Sequence, residues 1–143
     1  MTPQRFTTIA HGDHLFLSPL FADKVDRLIG LLDPGVSAQV LEIGCGKGEL
    51  LARIVERHAA RGVGIDPNPA FIAAARARST NLVAGAIAWH EAKAADVALV
   101  PHSFDLAICV GASHACGGYR ETLAALAGWT RGGGLVLAGE GFW

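Results

Sequence analysis

Five short apolar runs, set between helical patterns, constrain this chain more than any other feature of its sequence. They are Gln39-Val40-Leu41-Glu42-Ile43, Val63-Gly64-Ile65, a segment from Ile87 through Trp89 to about Ala92, Phe104 to Val110, and Leu135 to Ala138. Each is short, apolar and bounded by Gly, Pro or polar turn residues, which marks a buried strand rather than a helix. Between them, Gly48 to His58 has the helical period, with Leu50, Leu51, Ile54 and Val55 facing inward. Asn68-Pro69 starts another helix that runs to about Arg78, and Tyr119 to Trp129 forms a third, expected to bury Leu123, Leu126 and Ala127. Upstream, Ser18-Pro19 reads as a helix start followed by an apolar face of Phe21, Val25, Leu28 and Leu32, ended by Asp33-Pro34-Gly35. Met1 to Leu17 has weak periodicity and reads as an irregular arm, leaving 18–143 as the core domain. Strands alternating with helices require right-handed crossovers and a mainly parallel, doubly wound sheet covered on both faces, an α/β three-layer sandwich.

Composition narrows the function. With 143 residues, 51% hydrophobic and 17% charged, the chain is of single-domain size and well able to bury a core. A formal net charge of −1 and the lack of a basic patch argue against nucleic acid or anionic lipid as a partner. No apolar run approaches the ~18 residues of a helical membrane span. Three cysteines, Cys45, Cys109 and Cys116, form neither a disulfide framework nor a CxxC knuckle, so reduced thiols in a cytoplasmic protein are expected. His11 and His14 have HxxH spacing, but without a third ligand cluster no metal site is expected.

Ligands of such sheets bind beyond the carboxyl ends of the strands. There the first strand ends in Gly44-Cys45-Gly46-Lys47-Gly48, a turn that lets backbone approach a ligand with a helix amino end behind it. The Lys47-Gly48 order does not fit a phosphate-binding GxxxxGK[ST] loop, and a dinucleotide GxGxxG would need glycine where Glu49 stands. The second strand ends at Asp66, an acid placed to accept both hydroxyls of a ribose. Glu42 beside the glycine turn would repel a pyrophosphate but suits a ligand with a cationic amine, such as S-adenosylmethionine.

Four ordered motifs carry a resemblance: Val40 to Gly48, Gly64-Ile65-Asp66-Pro67, Ser103-Phe104-Asp105-Leu106-Ala107, and Arg131-Gly132-Gly133-Gly134-Leu135-Val136-Leu137. Over residues 36 to 140 the chain resembles the class I S-adenosylmethionine-dependent methyltransferases of Rossmann-like fold. The resemblance implies strand order 3-2-1-4-5 and S-adenosyl-L-methionine as cofactor. It places Gly44, Cys45 and Gly46 near the methionine and ribose portion. Asp66 and Pro67 would lie at the ribose, and Glu42 would orient the loop or reach the ammonium through water. Asp105 would be structural. The loop after the fourth strand, with Val110, Gly111 and Ser113, would lie beside the transferable methyl. The family usually has an acid or amide just after the third strand to receive the adenine amino group, whereas Lys93-Ala94 stands here, and Lys cannot accept. Either Asp96 takes that role through a shifted loop or Ala94 binds adenine through its backbone.

Methyl transfer from a sulfonium is an in-line displacement that needs alignment and exclusion of water. If the acceptor needs a general base, His114 is placed for it; packing within its loop is the alternative. The arm, with His11, His14 and Phe16, either closes as a lid over cofactor and substrate or packs on the sheet edge. The expected function is methyl transfer to a small molecule, the alternatives being an NAD(P)-binding oxidoreductase domain or a non-catalytic cofactor-binding module. Methyltransferases of this class usually continue past the fifth strand, so the chain is expected to be truncated there. That would leave an open strand edge suited to self-association.

Overall fold

A computed structural model describes residues 2–16 and 21–140. Its elements are helix α1 (Pro3–Ala10), helix α2 (Ala22–Leu31), strand β1 (Gln39–Ile43), helix α3 (Glu49–His58), strand β2 (Arg61–Asp66), helix α4 (Pro69–Arg78), strand β3 (Ile87–Glu91), strand β4 (Phe104–Val110), helix α5 (Tyr119–Trp129) and strand β5 (Thr130–Gly139). Short 3-10 turns lie at Ala94–Asp96 and Ser113–Cys116. All four strand pairings are parallel, and the order is β3-β2-β1-β4-β5. The chain reverses its direction of winding between β3 and β4, so the carboxyl ends of β1 and β4 flank a switch point.

The core has two layers because β1 and β4 send alternate side chains to opposite faces. Val40, Leu106 and Ile108 pack with Val25 and Ile29 of α2 and Leu51 and Ile54 of α3. Leu41, Ile43, Ala107 and Cys109 pack with Leu126 of α5 on the other face. Asn68 caps α4 by accepting from the Ala70 N–H at 3.0 Å, with Pro69 in the first turn, as the Asn-Pro pair predicts.

The Trp89 ring on β3 lies over Gly64 of β2 and against Gly48 at the start of α3. A Cβ on Gly64 would lie 2.4 Å from the Trp89 ring, and one on Gly48 would lie 2.3 Å from it. The indole is held in place by donating from Nε1 to Ser79 Oγ at 3.0 Å. Substituting Gly64→Ala is therefore expected to cost about 2–3 kcal/mol through overpacking, read as a lower denaturation midpoint at unchanged slope. The double variant Gly64→Ala/Trp89→Leu should recover part of that loss.

Four expectations need correction. The arm is not irregular: α1 forms there, started by Thr2, whose Oγ1 accepts from Arg5 N–H at 3.2 Å, with Pro3 in the first turn. No side chain of α1 enters the core; Phe6 and Ile9 are about two-thirds exposed. In α5, Leu126 is buried as expected, but Leu123 and Ala127 are exposed. Thr122 is the second buried residue, its hydroxyl donating within reach of the Gly118 and Ser113 carbonyls at 2.7 and 3.0 Å.

The glycines after Arg131 do not make a separate turn. Thr130 already pairs with Phe104, and the ladder resumes at Leu106 with Leu135, so Arg131 to Gly134 bulge out of β5. The helix start at Ser18-Pro19 lies outside the described residues; the helix is seen from Ala22, with Phe21 exposed rather than on its buried face. β5 and β3 are the two edge strands of the described sheet, and Leu135 and Val136 of β5 are about two-fifths exposed. Among the described residues, no helix is long and apolar enough to cross a membrane.

Candidate active site

The carboxyl ends of β1, β2 and β4 open into a cavity of about 640 Å³. Its floor includes Ile43, Gly44, Ile65 and Asp66 from the sheet, and its walls include Phe71 of α4 and Ala92 to Ala95. Val110 to Ala112, His114 and Ala115 close the β4 side, and Pro3, Gln4, Thr7 and His11 of the arm close the top. A second, much smaller cavity of about 40 Å³ lies between the glycine turn and the arm, lined by Leu15, Phe16, Val25, Glu42, Cys45, Gly46 and Lys47 among others. Gly44 and Val110 line both, so the two spaces adjoin at the switch point.

The glycine turn is built from β1 outward. The Gly44 and Cys45 N–H groups both donate to the Ile65 carbonyl, at 2.8 and 3.1 Å, which ties the turn to β2. Gly44 has φ of 66°, and a Cβ there would lie 2.3 Å from the Ala112 Cβ, so the loops after β1 and β4 touch backbone to side chain. Gly46 N–H donates to Asp66 Oδ2 at 3.0 Å, and Asn68 N–H donates to Asp66 Oδ1 at 2.8 Å. Each Asp66 oxygen thus keeps an accepting lone pair on a carboxylate that lines the large cavity. Burial raises its pKa; the two N–H donors and nearby His114 oppose that rise.

Glu42 is buried at the base of the turn and lines the small cavity, not the large one. Among the described residues its Oε2 has no hydrogen-bond partner. Burial lifts its pKa from 4.5 to about 8, against a backbone contact at Leu51 and with a further push from Asp66. The small cavity has room for one or two waters, so a water-linked path from Glu42 to the glycine turn fits the space. Cys45 lines the same cavity, and burial, with Glu42 and Asp66 nearby, holds its thiol well above the usual range. Cys45 is therefore a packed thiol rather than a nucleophile.

Glu49 occupies the position of a third fingerprint glycine. Its carboxylate is buried, accepting from Arg53 Nε and Arg78 Nε at 2.7 Å each. Burial would raise its pKa, but the hydrogen bonds and charges of Arg78 and Arg53 lower it below the usual carboxylate value. Both Glu49 oxygens are thus engaged by arginines, and the position holds a packed side chain where a dinucleotide fingerprint needs the third glycine.

The sequence-derived residues divide between these spaces. Gly44, Asp66, Pro67, Ala94, Val110, Gly111, His11 and His114 line the large cavity; Glu42, Cys45, Gly46 and Phe16 line the small one. Asp96 is exposed in the 3-10 turn and lines neither, whereas Ala94 is buried and lines the large cavity. Ser113 contributes structure: its N–H donates to Glu140 Oε2 at 3.2 Å. His14 lines neither space and meets the His11 ring edge-on at 5.8 Å. Among the described residues there is no cluster of metal-ligating side chains. Sequence reasoning missed Gln4, Thr7 and Asn68. Asn68 Nδ2 donates to Thr8 Oγ1 at 2.9 Å and to the Gln4 carbonyl at 3.3 Å, a link across the cavity mouth that only the packed arm reveals.

Comparison with known proteins agrees with this geometry. A family profile described as "Methyltransferase domain" matches residues 40–134. The protein YjhP of Escherichia coli K12, named as uncharacterized, is 32% identical over 140 residues, 97% of this chain and 56% of its own length. The crystal structure of an S-adenosylmethionine-dependent methyltransferase from Thiobacillus denitrificans, in complex with S-adenosyl-L-homocysteine, superimposes with a TM-score of 0.90 at 34% identity. That match covers 100% of this chain and 58% of the other. A tRNA U34 carboxymethyltransferase of Aeromonas hydrophila is 39% identical over 62 residues, 43% of this chain and 19% of its own length. The chain spans little more than half the length of the two relatives that it matches throughout. With the profile covering two-thirds of its residues and the fold shared along its whole length, the chain belongs to the methyltransferase domain family of Rossmann-like fold.

Proposed function

We propose that this chain binds S-adenosyl-L-methionine at the carboxyl ends of β1, β2 and β4 and catalyses transfer of its methyl group to a small-molecule acceptor held under α1. The observation that carries this reading is the cavity that Asp66, the glycine turn and α1 enclose together. The residues suit the cofactor. Asp66 keeps accepting lone pairs for ribose hydroxyls, the Gly44 turn leaves no room for side chains, and Ala94 offers backbone at the adenine end. Glu42 lies beside the turn, where a ligand ammonium would favour its carboxylate form over the protonated one.

The bound cofactor supplies a methyl group already activated as a sulfonium. What remains for the chain is alignment, exclusion of water and, for a protonated acceptor, removal of a proton. α1 provides the cover. His114 lines the cavity on the β4 side and is placed to take a proton from the acceptor. Its replacement, His114→Ala, is expected to lower kcat about 100-fold while leaving S-adenosylhomocysteine affinity unchanged. Full turnover at saturating acceptor would remove the base role. A small acceptor is supported by the covered cavity and the net charge of −1.

The partial likeness to a tRNA-modifying enzyme supplies the competing class of acceptor. Calorimetric titration with S-adenosylhomocysteine and with NADH tests the cofactor; heat from the first alone is expected. Methyl transfer from labelled cofactor into a small-metabolite pool rather than into total tRNA tests the acceptor, and label only in tRNA would overturn the small-molecule reading.

A further inference from the structure

Lys47 sits between Gly46 and Gly48, inside the turn that faces the proposed cofactor. Its ammonium donates to three backbone carbonyls of the arm: His11 at 2.8 Å, Gly12 at 2.7 Å and His14 at 2.7 Å. A lysine has three donors, and here all three go to one segment 33 to 36 residues earlier in the chain. The acceptors lie at and just beyond the carboxyl end of α1, where the helix dipole is negative and a cation is favoured.

α1 has little else to hold it. No residue of α1 is buried, so its seat over the cavity depends on polar links rather than apolar packing. Asn68 holds its middle through Thr8 and Gln4, and Phe16 beyond it stacks on the Arg53 guanidinium at 5.3 Å. Lys47 fixes the end that carries His11. His11 lines the cavity, and among the described residues its buried Nδ1 has no hydrogen-bond partner, which leaves it for whatever fills that space.

We propose that Lys47 is a positioning residue that couples the arm to the cofactor turn and sets His11 over the reaction space. The inference rests on the cofactor reading above. A ligand that orders the Gly44–Gly48 turn fixes the root of Lys47 and with it the end of α1. By linkage, a closed α1 then raises ligand affinity by the same factor.

The test compares wild type, Lys47→Met and Lys47→Arg by hydrogen exchange at residues 3–14 and by the dissociation rate of S-adenosylhomocysteine. In wild type the ligand should slow exchange across α1. Lys47→Met keeps the stem and loses the ammonium; it should lose that ligand-dependent protection and release the ligand about 10-fold faster, while β1 and β4 amides stay protected. Lys47→Arg should restore part of both. A Lys47→Met protein with wild-type protection of α1 and wild-type release would overturn the proposal, as would loss of protection throughout β1 and β4, which would mark a role in global stability. If wild type binds no S-adenosylhomocysteine, the cofactor reading fails instead. The latch is then judged on unliganded exchange, where equal protection of residues 8–14 in wild type and Lys47→Met would overturn it.

Discussion

Glu42→Gln is expected to make the unliganded protein more stable above neutral pH and to weaken its hold on the cofactor. Burial raises the Glu42 carboxyl from 4.5 to about 8, so the folded protein keeps a proton that the unfolded chain releases. Stability therefore falls as pH rises through the window from about 4.5 to about 8, and levels off above it. The size of that loss is on the order of 5 kcal/mol, at 1.36 kcal/mol per pK unit. Glutamine has the same shape and no proton to lose, so the variant should lack this slope. Denaturation at pH 6 and pH 9 reads the difference: the wild-type midpoint should fall by about 10 °C more than that of the variant. A ligand ammonium reverses the preference, because it favours the carboxylate. Wild-type affinity for S-adenosylhomocysteine should then rise between pH 6 and pH 8, while the variant binds about 10- to 100-fold more weakly at pH 8 and shows a smaller rise. The ammonium's own titration is common to both proteins, so the difference between the two curves isolates Glu42. Parallel curves would exclude its part in binding.

This conflict between folding and binding explains why Glu42 was legible in the sequence and its location was not. An acid in an apolar strand, two residues before a glycine turn, is conspicuous, because burying a carboxylate without a partner is costly. Which side of the turn it faces depends on strand parity and on the arm that covers it. The strands and four of the helices were legible for a related reason: β1, β4 and α5 have the bounds that their apolar runs and turn residues indicate. Each buries a face, and burial leaves a period. α1 is only eight residues long and buries nothing, and Thr2-Pro3 marks its start. The residues missed at the site follow the same division. Asp66 is announced by its place after β2, whereas Lys47 and Asn68 bind backbone carbonyls, which carry no sequence signature. Leu123 and Ala127 fit the helical period of α5 but lie outside the arc that meets β4 and β5, and Thr122 enters the core because its hydroxyl finds carbonyls in the adjacent turn.

Asp66→Asn should produce the largest loss of cofactor binding of any single isosteric change. The carboxylate has two tasks that one amide cannot perform together. Its two oxygens accept the Gly46 and Asn68 N–H groups, holding the glycine turn against the start of α4. The same oxygens have lone pairs left for two ribose hydroxyls in the large cavity. An asparagine offers one oxygen and an NH2 group. If its oxygen serves Asn68, its NH2 confronts the Gly46 N–H, donor against donor, at a buried position. The expected cost to folding is about 1–3 kcal/mol, the penalty of an unsatisfied buried donor. At the ribose one acceptor becomes a donor and the charge is lost, so S-adenosylhomocysteine affinity should fall 100-fold or more, equivalent to at least about 2.7 kcal/mol. Calorimetry and urea denaturation separate the two losses. The discriminating ligand is the 2′-deoxyribose analogue. If Asp66 accepts from the 2′-hydroxyl, wild type should discriminate strongly against the analogue and Asp66→Asn should discriminate little. Equal discrimination by both proteins would leave Asp66 as a structural clamp of the turn and place the ribose elsewhere in the cavity.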